Sequence, residues 1–221
     1  MNLKHPLILA SSSPRRQFLL KEIGFQFFVE RPGVDESFPP DMSAEKVAPF
    51  LAEKKAKVFS NRLVNEMVLT SDTVVILDRA ILNKPADRKE AIAMLTALSG
   101  RTHTVITGVC LMSSDKIDSF HDRTDVTFRK LRAAEIELYV DHYKPFDKAG
   151  AYGAQECLAP GMNPCSKEEI EFLKEIKKTE LIEKSISNGK EGMAAIDKIK
   201  GSYFNVMGLP IHKVYAHLIQ F

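Results

Sequence analysis

Residues 10–20 read ASSSPRRQFLL, two adjacent arginines after three serines and a proline, between two apolar runs. Ser13 suits a helix N-cap and Pro14 a first helical residue, so the N–H groups of the first turn face back toward the preceding strand. A helix N-terminus carries about half a positive charge, and guanidiniums placed there are unfavourable unless an anion lies between them. Serine hydroxyls and bidentate guanidiniums would hold a phosphate; a capped helix with two solvated arginines is the plain alternative. Two acidic features add to this. RPGVDE at 31–36 ends a glycine turn in Asp35 and Glu36, and LTSDTVV at 69–75 sets Asp72 inside an apolar strand pattern. Asp72 is either a metal ligand or general base at the mouth of a cleft, or a group that satisfies backbone near a strand end. Lys54 in LAEKKAK and Lys84 in LNKPAD are further cations whose weight comes only from this company. Such parts suit metal-assisted phosphoryl chemistry: cations hold a polyphosphate, Mg²⁺ neutralises its charge, and a carboxylate positions or deprotonates water. The sequence has no GxxxxGK[ST] loop, which excludes a P-loop machine.

These residues need a scaffold, and the patterning predicts one. Leu7 to Ala10 reads as a strand, Pro14 to Ile23 as a helix stopped by Gly24, and Phe25 to Glu30 as a strand. Ser43 to Arg62 follows as a helix, and Met67 to Leu77 as a strand. Arg79 to Pro85 is expected to turn, and Lys89 to Leu98 to form a helix. His103 to Met112 and Ile117 to Arg129 read as a hairpin about Ser113, Ser114 and Asp115. Ala133 to His142 and Leu209 to Ile219 complete the helices, with Phe204 to Met207 a short apolar stretch. The class is mixed α/β. From Cys157 to Lys200 the texture changes to Lys and Glu, where Ser166 and Glu169 make a capping box ahead of an apolar stripe, an amphipathic helix with a solvated face.

Composition narrows the partners. With 221 residues and 44% hydrophobic content the chain can fill a sizeable core, and 31 basic against 29 acidic residues argue against nucleic acid as the main partner. No apolar run approaches the roughly 20 residues a membrane span needs. Met1 to Pro6 lacks a secretory h-region, and a cytoplasmic protein is expected. Cys110, Cys157 and Cys165 fit neither a disulfide framework nor a zinc site. The histidines show no metal-ligand spacing, and His103 reads as structural.

The chain resembles the Maf family of nucleoside triphosphate pyrophosphatases. The resemblance rests on LASSSPRR at 9–16, PGVDE at 32–36, LAEKKA at 51–56, TSDTVV at 70–75, NKP at 83–85, LSGRTHTVITG at 98–108, DKAGAYGAQ at 147–155 and GSYFNVMGLP at 201–210. It implies one catalytic domain over 1–221, an α/β fold of two lobes around an elongated cleft like that of the house-cleaning inosine triphosphate pyrophosphatases, and a homodimer. It further implies hydrolysis between the α and β phosphates of a nucleotide with a divalent cation, Mg²⁺ or Mn²⁺. Asp72 then resembles the proton acceptor, Glu36 and Asp72 the metal or water site, and Ser11, Arg15, Arg16, Lys54 and Lys84 the triphosphate grip. GAYGAQ at 150–155 is similar to the branch acting on dTTP and UTP, with Arg15, Thr73 and Gln155 at the specificity positions. The rivals are a 7-methyl-GTP or other purine pyrophosphatase, and a nucleotide-binding regulator of septum formation with little turnover. Residues 156–200 depart from the family pattern as a helical insertion, expected to project or to extend an interface.

Overall fold

A computed structural model describes residues 3–186 and 192–221. Its centre is a seven-stranded mixed sheet ordered β2-β1-β3-β5-β6-β7, with β4 attached to β3. The strands are β1 (Leu7–Ala10), β2 (Phe28–Glu30), β3 (Met67–Leu77), β4 (Ala80–Leu82), β5 (Thr102–Met112), β6 (Ile117–Phe128) and β7 (Ile196–Lys200). β1 runs parallel to both β2 and β3, and the remaining pairings are antiparallel. The helices are α1 (Pro14–Glu22), α2 (Ala44–Lys57), α3 (Arg88–Leu98), α4 (Ala133–Tyr143), α5 (Lys167–Glu175), α6 (Glu180–Ile186), α7 (Tyr203–Val206) and α8 (Ile211–Gln220).

The period-two alternation of β3 and β5 decides how the helices are shared between the two faces. Met67, Leu69, Val75 and Val105 point into the larger core with Leu19, Leu95, Tyr139 and Phe204 from the helices, whereas Val74, Ile76 and Ile106 meet Val47, Ala48 and Leu51 of α2. Gly108 lets α2 lie close on β5, because a Cβ there would stand 2.4 Å from the carbonyl carbon of Ala48 and from Pro49 N.

Two expectations need correction. Ala80–Leu82, read as part of a turn, forms β4, since the reversal needs only Asp78 and Arg79, both in the left-handed region. The 156–200 segment does not project: Leu173 and Leu181 are buried in the main core, and its last five residues are β7, paired with β6. Residues 187–191 of that segment lie outside the described residues. The capping box predicted at Ser166 is present, and its Glu169 reaches further, accepting from Ser202 Oγ at 2.5 Å, Tyr203 N at 3.1 Å and Phe204 N at 3.0 Å. A buried carboxylate needs such donors, and here they come from the start of α7, fastening the segment to the GSYFN stretch.

Candidate active site

β3 is eleven residues long, but β1 pairs only with Met67 to Leu69 and β4 with Val75 to Leu77. β5 runs along the other edge of β3, so residues 70–74 face a gap between two strands on one edge, and Asp72 stands at its middle. The N-terminus of α1 opens onto this gap from the end of β1. Open α/β sheets bind ligands where strand order reverses beyond carboxyl ends, and β1 with neighbours on both sides is such a place. A cleft of about 550 Å³ fills it.

Even-numbered side chains of β3 face α2, which brings Asp72 against Lys55. The Lys55 ammonium is hydrogen-bonded to Asp72 and lies 2.7 Å from Glu36 Oε1, with 8% of its side chain exposed. Lys84 Nζ stands 3.8 Å from the other Glu36 oxygen. Partial burial pushes the Glu36 carboxyl up, but the Lys55 hydrogen bond and charge, with Lys84 and Arg16 behind them, hold it below the usual carboxylate range.

Odd-numbered positions face the opposite way, toward α1. Arg16 donates from Nη1 to Ser71 O at 2.7 Å, from Nε to Gly208 O at 2.9 Å and from Nη2 to Thr73 Oγ1 at 3.0 Å. Its guanidinium therefore satisfies the carbonyl that the missing strand leaves open, and it fixes Thr73, whose hydroxyl also pairs with Thr107 at 3.0 Å. Burial lowers the Arg16 pKa, Asp72 opposes that shift and Arg15 reinforces it. Arg15 is turned differently: it lines the cleft 3.8 Å from Asp147, with a quarter of its side chain exposed, and it retains donors for a ligand. Ser13 caps α1 by accepting from Arg16 N, and Ser11 Oγ accepts from Ser13 N at 3.2 Å.

The structure thus brings Ser11, Arg15, Arg16, Glu36, Asp72, Thr73, Lys84 and Gln155 to one cleft. Lys54 is the correction. It lies outside the cleft lining and donates to Ser37 O at 2.8 Å, while its neighbour Lys55 occupies the site. The missed signal was the period of α2, since Val47, Leu51 and Lys55 follow one another at steps of four on its buried stripe. Asp147 and Lys148, beyond the expected set, line the opposite wall with Tyr152 and Gln155. Gln155 lines the cleft, and its Oε1 is buried with no hydrogen-bond partner among the described residues. Six cationic side chains line the cleft against the three carboxylates Glu36, Asp72 and Asp147, a balance that favours a polyanion.

The donor set also bears on a metal. Among the described residues no group of three or more His, Cys, Asp or Glu side chains is gathered. Two carboxylates meeting at one ammonium nevertheless fit a hard cation of the Mg²⁺ kind, which keeps several waters and takes its other ligands from phosphate.

The profile of a family described as "Maf-like protein" matches residues 6–165 and 160–221. A dTTP/UTP pyrophosphatase of Bacteroides fragilis is 38% identical over 219 residues, covering 98% of this chain and 96% of its own length. Proteins of the same name from Flavobacterium johnsoniae and Porphyromonas gingivalis are 38% identical over 216 residues and 37% identical over 222. These cover 97% and 99% of this chain, and 94% and 95% of their own lengths. Among solved structures, a HAM1 protein from Coxiella burnetii aligns with 85% of this chain and 100% of its own at 14% identity and a TM-score of 0.41.

Proposed function

Because the chain belongs to the Maf family, we propose that it is a nucleoside triphosphate pyrophosphatase that hydrolyses dTTP and UTP to the monophosphate and pyrophosphate. Modified pyrimidine triphosphates fall within the same reading, as does a house-cleaning role on the cytoplasmic nucleotide pool by a homodimer. The observation that carries it is the acidic pair Asp72 and Glu36, joined through Lys55 in the gap of the sheet and faced by a helix N-terminus and unspent cations.

The triphosphate lies along the α1 terminus, where Arg15 and the first-turn N–H groups face it, and Lys84 closes on it from the loop after β4. Arg16 acts indirectly, holding Ser71 and Thr73 so that Asp72 between them keeps its direction. Asp72, with 13% of its side chain exposed, accepts the proton of the attacking water. Glu36 and Asp72 would hold the divalent cation, Mg²⁺ or Mn²⁺, whose chemistry when bound is to neutralise charge on the phosphates. At the far wall the Gln155 amide meets the carbonyl and imide edge of the pyrimidine.

A panel of triphosphates with Mg²⁺ or Mn²⁺, scored for pyrophosphate release, tests the reading. dTTP and UTP should lead, and Asp72→Asn should cut kcat by about a hundredfold or more while nucleotide binding persists. A preference for 7-methyl-GTP or another purine nucleotide would move the chain to the other branch; tight binding without turnover would make it a regulator.

A further inference from the structure

The turn that carries Gln155 rests on a buried polar brace. Glu156, the next residue, does not face the base: its Oε2 accepts from the Tyr139 hydroxyl of α4 at 2.6 Å, and only 12% of its side chain is exposed. The same hydroxyl accepts from Gly153 N at 3.0 Å, so one phenol oxygen pins both ends of the turn 153–156. Gly153 packs against the Glu156 carboxylate so closely that a Cβ there would meet its carbon at 2.8 Å. Burial, then the neighbouring Cys157 and Glu156, pushes the Tyr139 phenol well above its ordinary range, so it stays a donor.

The other Glu156 oxygen lies 3.7 Å from Lys148 Nζ, which is 2.9 Å from Asp147 Oδ1, and Asp147 in turn lies 3.8 Å from Arg15. A line of alternating charge therefore runs from the first turn of α1 to the underside of the Gln155 turn. Such networks hold a unique geometry when every member is satisfied.

We propose that Glu156 and Tyr139 are positioning residues for nucleobase selection, setting the turn that presents Gln155 and linking it through Lys148 and Asp147 to Arg15. Neither touches the nucleotide. Their effect is to hold the amide where a pyrimidine edge meets it and a purine does not. This rests on the pyrimidine reading above.

The test measures kcat and KM for dTTP, UTP, dATP and dGTP in wild type, Tyr139→Phe, Glu156→Gln and Glu156→Ala, with a thermal melt of each. Tyr139→Phe keeps the ring and removes the hydroxyl; it should raise KM for dTTP and UTP about tenfold, leave kcat within about twofold and change the purines little. Glu156→Gln, which keeps an acceptor for Tyr139, should lose less discrimination than Glu156→Ala. A uniform loss on all four nucleotides, or a fall in kcat alone, would make the brace merely structural and overturn the proposal. Should Tyr139→Phe fail to fold, the two Glu156 variants decide by the same ratio. A wild type with no pyrimidine preference would remove the premise, and this proposal with it; a wild-type preference that survives every variant overturns the positioning role alone.

Discussion

Two neighbouring lysines show how much turns on a single helical step. Lys54 and Lys55 have the same chemistry, but a residue step of about 100° sends one to Ser37 at the surface and the other between Asp72 and Glu36. Lys55 has given up nearly all its hydration and is compensated by two carboxylates. Removing it leaves both acids partly buried without their donor. Lys55→Ala should therefore lower kcat/KM by about 30- to 100-fold, and Lys54→Ala by no more than about threefold. Steady-state kinetics on dTTP, with thermal melts to exclude unfolding, would show it; equal losses would return Lys54 to the site. The two arginines divide in the same manner. The charge pattern placed both beside an anion, but only the structure shows that Arg16 spends three donors on Gly208, Ser71 and Thr73 while Arg15 keeps its own. The β3 gap that Arg16 fills arises from pairing between distant segments, which residue order does not reveal.

At the scale of elements, the packing of the segment after Gln155 is hidden in its sequence for an identifiable reason. Its Lys and Glu content suits a wet face, and the helices do present one, but Leu173 and Leu181 on the other side enter the main core. The capping box was legible because Ser166 and Glu169 are three residues apart; the further role of Glu169 was not, because its partners lie more than thirty residues on. At 0% exposure Glu169 accepts from four donors, Ser166 N among them at 2.9 Å. Glu169→Gln must set an NH₂ group against two of those donors, whichever way the amide turns. It should cost about 2–4 kcal/mol, read as a lower urea midpoint with unchanged m-value, and a loss under about 0.5 kcal/mol would show that α7 does not depend on it. The long strands are easier to read than their connections: β-rich runs of eleven or twelve residues mark β3, β5 and β6, whereas β4 and β7, at three and five residues, are too short to stand out.

At the scale of the whole molecule, the mixed α/β class could be read from the order of apolar runs, because long periodic segments carry their own signal. His103 reads as structural in the sequence and is buried in the structure, but what it joins could not be read from residue order. It sits at 2% exposure on β5, edge-on to Phe128 and Tyr152 at 5.0 and 5.4 Å, with Nε2 2.7 Å from the Tyr152 hydroxyl and Nδ1 buried with no hydrogen-bond partner among the described residues. Burial lowers its pKa to about 4, only partly opposed by Asp125. The unfolded chain, titrating at its ordinary value of about 6.5, therefore binds the proton first as pH falls. Between those values the unfolded state holds more protons than the native one, so stability rises with pH there and is lost as pH falls from about 6.5 toward 4. A neutral buried imidazole thus contributes up to about 3 kcal/mol at pH 7 that is largely gone near pH 4. Because His103 ties β5 to the Tyr152 wall of the cleft, the whole fold and its nucleotide site should fail together on acidification. Unfolding midpoints from pH 7 to pH 4.5 should fall less steeply for His103→Gln than for wild type, even though the variant is the less stable at pH 7. Parallel slopes would assign the acid sensitivity to carboxylates such as Glu36, whose depressed pKa makes its contribution fade only at lower pH.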